Sequence, residues 1–105
     1  MVCYRVLASQ GGIGFPDFTK TSTSNYGSTG TLTINMDEWV FISLITQRTH
    51  AKVYVDNILV SQSYSSDDDM SCGFANYFAP LKKGAVIKWS SDDICLITLI
   101  PFIDN

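Results

Sequence analysis

The chain has 105 residues, 46% of them hydrophobic and 16% charged, with a formal net charge of −3. That length suits a single domain whose core closes without disulfides or a metal, and the acidic balance argues against a surface built to neutralise nucleic-acid phosphates. No apolar run approaches the roughly eighteen residues of a membrane span, so no membrane insertion and no nucleic-acid partner are expected.

Val2 to Ser9 reads as a first strand, ended by Gly11-Gly12-Ile13-Gly14-Phe15-Pro16, whose glycines cannot continue a regular element. Residues 19 to 31 are rich in Ser, Thr and Gly around Asn25-Tyr26-Gly27, polar enough for a long loop. Residues 1 to 30 can therefore form a flexible or swapped N-terminal arm. Thr31-Leu32-Thr33-Ile34-Asn35 alternates polar and apolar, the pattern of a half-buried strand. Met36-Asp37-Glu38 turns the chain, and Trp39-Val40-Phe41-Ile42-Ser43-Leu44-Ile45 follows as a core strand that takes Trp39 and Phe41 inside.

The plainest hairpin comes next. Ala51 to Val55 alternates, Asp56-Asn57 tolerates positive φ, and Ile58 to Tyr64 returns. Ser65 to Asp69 is an acidic loop, Met70 to Phe78 a strand, and Ala79-Pro80-Leu81-Lys82-Lys83-Gly84 a corner that no buried strand could hold. Ala85 to Trp89 is another strand, Ser90 to Asp93 a turn, and Ile94 to Phe102 the last strand. Its run Ile94-Cys95-Leu96-Ile97-Thr98-Leu99-Ile100 is apolar on both faces, which calls for cover from a second sheet or from a neighbouring subunit.

About eight strands with turns every eight to twelve residues give an all-β fold, an antiparallel, jelly-roll-like β-sandwich spanning residues 1–105 as one domain. Composition agrees. Glu38 is the single glutamate beside twelve serines and nine threonines, a poor mixture for helices and a good one for strands and turns. Low charge with a mean hydropathy of +0.13 also implies that some apolar surface is hidden in an assembly.

Cys3, Cys72 and Cys95 share no metal-ligand spacing and are expected as free thiols, which fits synthesis in a reducing cytoplasm. The segment Met1 to Arg5 lacks the charged-then-apolar layout of a signal peptide. His50 lies in a polar stretch and reads as a solvated side chain rather than a general base. A glycosidase pair would need aspartates from Asp67 to Asp69 and Asp92-Asp93. Asp67-Asp68-Asp69 could supply oxygen ligands to Ca²⁺, but consecutive carboxylates diverge, so a solvated acidic turn is the simpler reading. Gly11-Gly12-Ile13-Gly14 lacks the Lys-Ser/Thr ending of a phosphate loop. No catalytic residue, cofactor or metal site is assigned. Aromatic side chains near loops are the binding candidates, Tyr26, Tyr64 and Tyr77 foremost, with Phe74 and Trp89 in similar settings, because aromatic faces stack on sugars and anchor protein contacts.

From residue 36 onward Glu38-Trp39-Val40, Val53-Tyr54-Val55-Asp56-Asn57-Ile58-Leu59-Val60, Pro80-Leu81-Lys82-Lys83-Gly84 and Ile100-Pro101-Phe102 resemble C-terminal domains of bacteriophage tail-fibre, head-fibre and receptor-binding proteins. The Leu81-to-Gly84 corner and the strand after it also look like the tumour-necrosis-factor jelly roll. Asp56-Asn57 stands for the usual Asn-Gly, and Ala85 stands where an aspartate usually follows the glycine. The resemblance implies a homotrimer with its C-terminal strand near the threefold axis, Leu96, Thr98, Ile100 and Phe102 at the interface. It implies a non-enzymatic virion module that trimerises a fibre or adhesin tip. Loops at 19–30, 46–50 and 65–71 would bind a bacterial surface glycan, cell-wall polymer or protein receptor. A monomeric carbohydrate-binding module is the alternative, and a small hydrolase a third.

Overall fold

In the computed structural model, residues 13–47, 50–64 and 72–103 are described. Eight strands follow in order: β1 (Ser22–Asn25), β2 (Thr29–Thr33), β3 (Glu38–Thr46), β4 (His50–Val55), β5 (Ile58–Tyr64), β6 (Gly73–Leu81), β7 (Val86–Ser90) and β8 (Cys95–Pro101). All pairings are antiparallel, and they make two four-stranded sheets ordered β1-β8-β3-β6 and β2-β7-β4-β5. That order is a jelly-roll sandwich. The expected first strand at Val2 to Ser9 and the acidic loop at Ser65 to Asp69 lie outside the described residues.

Alternation builds the core. Val40, Ile42 and Leu44 of β3 face inward with Ala75, Cys95 and Ile97 from their own sheet. They meet Ala51, Val53, Ile87 and Trp89 from the other sheet, and Ile34 closes the cluster. Each of these side chains is almost wholly removed from water, the principal stabilising term of a small sandwich. Burial pushes the Cys95 thiol up to about 11, so the group is a small apolar filler.

The turns follow their residue chemistry. Asp56 and Asn57 have φ of 50 and 68, the two left-handed positions of a primed hairpin turn between β4 and β5. The Asp56 carboxylate accepts from Val86 N at 2.9 Å, which ties this hairpin to β7. At the corner before β7, Gly84 takes φ 97 and donates to Ile34 O at 2.7 Å, while Lys83 N donates to Asp37 Oδ1 at 2.8 Å.

Three expectations change. Residues 19–31 are not a loop: β1 pairs with β8 and β2 with β7, each as an edge strand. Pro80 and Leu81 belong to β6, paired with Trp39 and Glu38, so the corner begins only at Lys82. An edge strand tolerates proline because its outward side has no ladder to break. Glu38, expected in a turn, instead begins β3 and is buried.

Candidate functional site

The outer faces of the two sheets differ in chemistry. On the second sheet, cross-strand pairs place Thr31 beside Lys88, Lys88 beside Tyr54, and Lys52 beside Ser90 and Gln62. Thr29, Thr31 and Thr33 are all exposed along β2. That face is mainly polar, with Leu59, the cross-strand partner of Tyr54, exposed on it and Ile58 exposed beside the hairpin turn.

On the first sheet the same bookkeeping gives an apolar surface. Phe41 pairs with Phe78 on one side and Thr98 on the other, Ile45 pairs with Phe74, and Ser43 pairs with Asn76 and Leu96. Directly paired residues share a face, so these side chains stand together on the side away from the core. Phe41 is 40% exposed, Phe74 57%, Phe78 48% and Leu96 39%. The rings of Trp39 and Phe78 lie 5.0 Å apart, and those of Phe41 and Phe78 5.9 Å apart, nearly perpendicular at 85°. Three aromatic side chains thus hold one another in place while their outer edges meet water.

One end of this face is covered by the chain itself. Residues 13–20 run past the end of β8 as a strap. Pro16 bridges Phe102, Asp17 N donates to Pro101 O at 2.8 Å, and Ile103 N donates to Phe15 O at 2.9 Å. Trp39 Nε1 donates to Gly14 O at 2.7 Å. Gly14 is required for that approach, since a Cβ there would lie 2.6 Å from the Phe102 ring. The strap then turns through a 3-10 helix at Phe18–Lys20. Asp17 caps it, accepting from Thr19 N at 3.1 Å and from Thr19 Oγ1. The Thr19 hydroxyl bond holds the Asp17 carboxyl below its ordinary value, with Lys20 contributing in the same direction.

The expected interface residues on β8 therefore divide. Leu96 is open to water, and Thr98 is half-buried with its hydroxyl 2.8 Å from that of Thr23. Ile100 and Phe102 are already buried within their own chain. The strand is apolar on both faces, as its sequence says, but only its inner face is covered along the whole length. Trp39 and Phe41, expected in the core, point the other way, because β3 has apolar residues at both parities and Val40, Ile42 and Leu44 took the inside.

Tyr26 and Tyr77 do not share a surface. Tyr26 sits edge-on to Trp89, centroids 5.8 Å apart, and packs against the core; Tyr77, on β6, packs against it too. Tyr26 follows β1 directly and Tyr77 lies on β6, the two opposite edge strands of the first sheet. The backbone of Tyr64 pairs with His50 at the end of β5. Trp89, grouped with them, is buried.

At the end opposite the strap, hydrogen bonds knit three strand connections together. Asp92 Oδ1 accepts from Thr46 Oγ1 at 2.9 Å and from Gln47 N at 2.6 Å, and Gln47 Nε2 donates to Asp93 Oδ2 at 2.8 Å. Ser91 Oγ donates to Ser28 O at 3.0 Å, and Trp89 Nε1 to Gly27 O at 3.2 Å. Asp92 and Asp93 are thereby committed to holding loops. Among the described residues no three His, Cys, Asp or Glu side chains are placed to hold a metal ion.

Comparison with protein-family models, with curated proteins and with solved structures gives no match to this chain.

Proposed function

We propose that this domain is a non-enzymatic assembly module. Its copies associate as a homotrimer through the outer face of the first sheet, at the tip of a phage fibre or adhesin, and present loops to a glycan, cell-wall polymer or protein on a bacterial surface. One observation carries the reading: two sheets of equal strand number have unlike outer faces, one mainly polar with Ile58 and Leu59 exposed only on its edge strand β5, and one holding the cluster Phe41, Phe74, Phe78 and Leu96 half in water. A clustered apolar patch of this kind often marks a functional contact, and association of copies would bury it. The knitted connections at 26–28 and 91–94, with Thr46 and Gln47, lie at the end away from the strap and Ile103, which suits a receptor-facing tip. Weak receptor sites repeated around an axis gain avidity without new contacts.

A carbohydrate platform on the same aromatic face is the second reading, favoured by Asn76, Ser43 and Thr98 between the rings. The near-perpendicular Phe41 and Phe78 rings weigh against it, because sugar stacking needs a shared plane.

Sedimentation equilibrium of the purified chain tests the proposal. A trimer of 11.6 kDa chains that Phe78→Asp reduces to monomers is the expected result. A wild-type chain that stays monomeric at tens of micromolar and retains a glycan ligand would establish the second reading.

A further inference from the structure

The outer face of the first sheet is covered at one end, and by its own chain. Trp39 pairs with Ile100 and Phe41 with Thr98, so Ile100, and Phe102 two residues on, belong to the same side as the exposed aromatics. Both are buried, yet neither belongs to the core cluster between the sheets. At Phe102 the cover is the strap: Gly14 lies on its ring with no room for a Cβ, and the Gly14 carbonyl accepts from the Trp39 indole at 2.7 Å. Followed towards the N-terminus, the described chain thus ends beside Trp39. The Trp39 ring is 5.0 Å from that of Phe78, where the open part of the face begins.

We propose that Val2–Ser9, outside the described residues, carries this cover onward and lies over Phe41, Phe74 and Phe78 of its own chain. Length permits it. From Trp39 to Ile45 the face runs about 20 Å at ~3.4 Å per residue, and the residues ahead of Ile13 reach about 40 Å when extended. The chemistry matches as well. Arg5 is the one charge before Ile13, and alternation puts Val2, Tyr4, Val6 and Ala8 on one side of an extended segment. The face offers no charge: Phe41, Phe74, Phe78 and Leu96 stand with Ser43, Asn76 and Thr98. Attachment through Gly14 favours this occupant over a free partner, because a tethered segment meets the face at an effective concentration of about millimolar. The inference goes beyond the association proposed above and sets a condition on it: a neighbouring copy gains the face only where it displaces the arm.

A nitroxide attached at Cys3 of the full chain, in a Cys72→Ser background with buried Cys95 unreacted, tests this through the nuclear-magnetic-resonance signals it broadens. Tagged, isotope-labelled chain is diluted into an excess of untagged, unlabelled chain, so that only contacts within one molecule are read. The amide signals of Phe41, Ser43 and Asn76 are expected to be lost, and those of Thr31, Lys52 and Gln62 on the other sheet to persist. Equal broadening of both sheets, or none, overturns the inference. So does a loss seen only when tagged unlabelled chain is mixed with untagged labelled chain, which puts the arm on a neighbouring copy and leaves association intact. In the same tagged chain, Tyr4→Asp/Val6→Asp is expected to restore the lost signals and to shift sedimentation towards trimer. Signals restored in a chain that still sediments as monomer support the cover and overturn the association alone.

Discussion

Glu38 shows how alternation can force a side chain against its own chemistry. It shares inward parity with Val40, Ile42 and Leu44 and is buried at the start of β3, paired across to Leu81 and Pro101. Loss of water raises its pKa from the ordinary 4.5, because burial penalises the charged form. The sign follows. The folded state holds this proton more tightly than the unfolded state, so stability falls as pH rises from about 4.5 through the raised folded value, and stays lower above it. Glu38→Gln is therefore expected to have a higher urea midpoint than wild type at pH 7 and the same midpoint near pH 3.5; equal midpoints at both would show that the carboxylate is well solvated. The cysteines give a second residue-scale prediction. Exposed Cys72 should react with a maleimide at pH 8 within minutes, and Cys95, buried with its pKa near 11, only after unfolding. Peptide mapping of the labelled chain separates the two.

Among the elements, the β4–β5 hairpin depends on two residues held at positive φ. Asn tolerates the left-handed region and a β-branched residue does not, so Asn57→Val should cost about 1–2 kcal/mol, read as a shift in the denaturation midpoint at constant slope. At the opposite end Asp92 satisfies the buried Thr46 hydroxyl and the Gln47 amide. Asp92→Ala strands both donors and should cost about 1–3 kcal/mol, whereas Asp92→Asn, which keeps an acceptor, should cost less. These two turns also mark how far the strands could be read from the residues. The hairpin was visible because its turn residues are specific and its flanks alternate. β1 was not, since Ser22, Thr23, Ser24 and Asn25 are all exposed and a strand without a buried face has no period to detect. Pro80 marked a corner too early because nothing local tells an edge strand from a central one. The aromatic face was missed for a related reason. Alternation assigns Trp39, Phe41 and Ile45 to one side of β3 and Val40, Ile42 and Leu44 to the other, but cannot say which side is inner. Trp39 and Phe41 were expected inside; the sandwich, holding Trp89 on the facing sheet, took the aliphatics.

For the whole molecule, the unlike outer faces decide what kind of association to expect. The proposed contact through Phe41, Phe74 and Phe78 would be driven by apolar burial, and the chain's net charge of −3 would oppose it. Burial of apolar surface weakens on cooling and is strengthened by excluded salts such as sulfate, whereas an assembly held by ion pairs loosens as salt rises. The proposed trimer should thus dissociate more readily at 5 °C than at 25 °C and tighten in 0.5 M sodium sulfate, both followed by sedimentation at low micromolar concentration. Phe78 lies at the centre of the face, between Trp39 and Phe41. Its replacement by aspartate places a charge where water is to be excluded, and as a central aromatic anchor its loss should weaken each contact by about 30-fold or more. Because every chain in a ring engages two neighbours, the same change strikes all contacts at once, so dissociation should go straight to monomers without a stable dimer. A variant that halts at dimer, or a wild-type assembly that sodium chloride alone dissolves, would place the contact on the polar sheet instead.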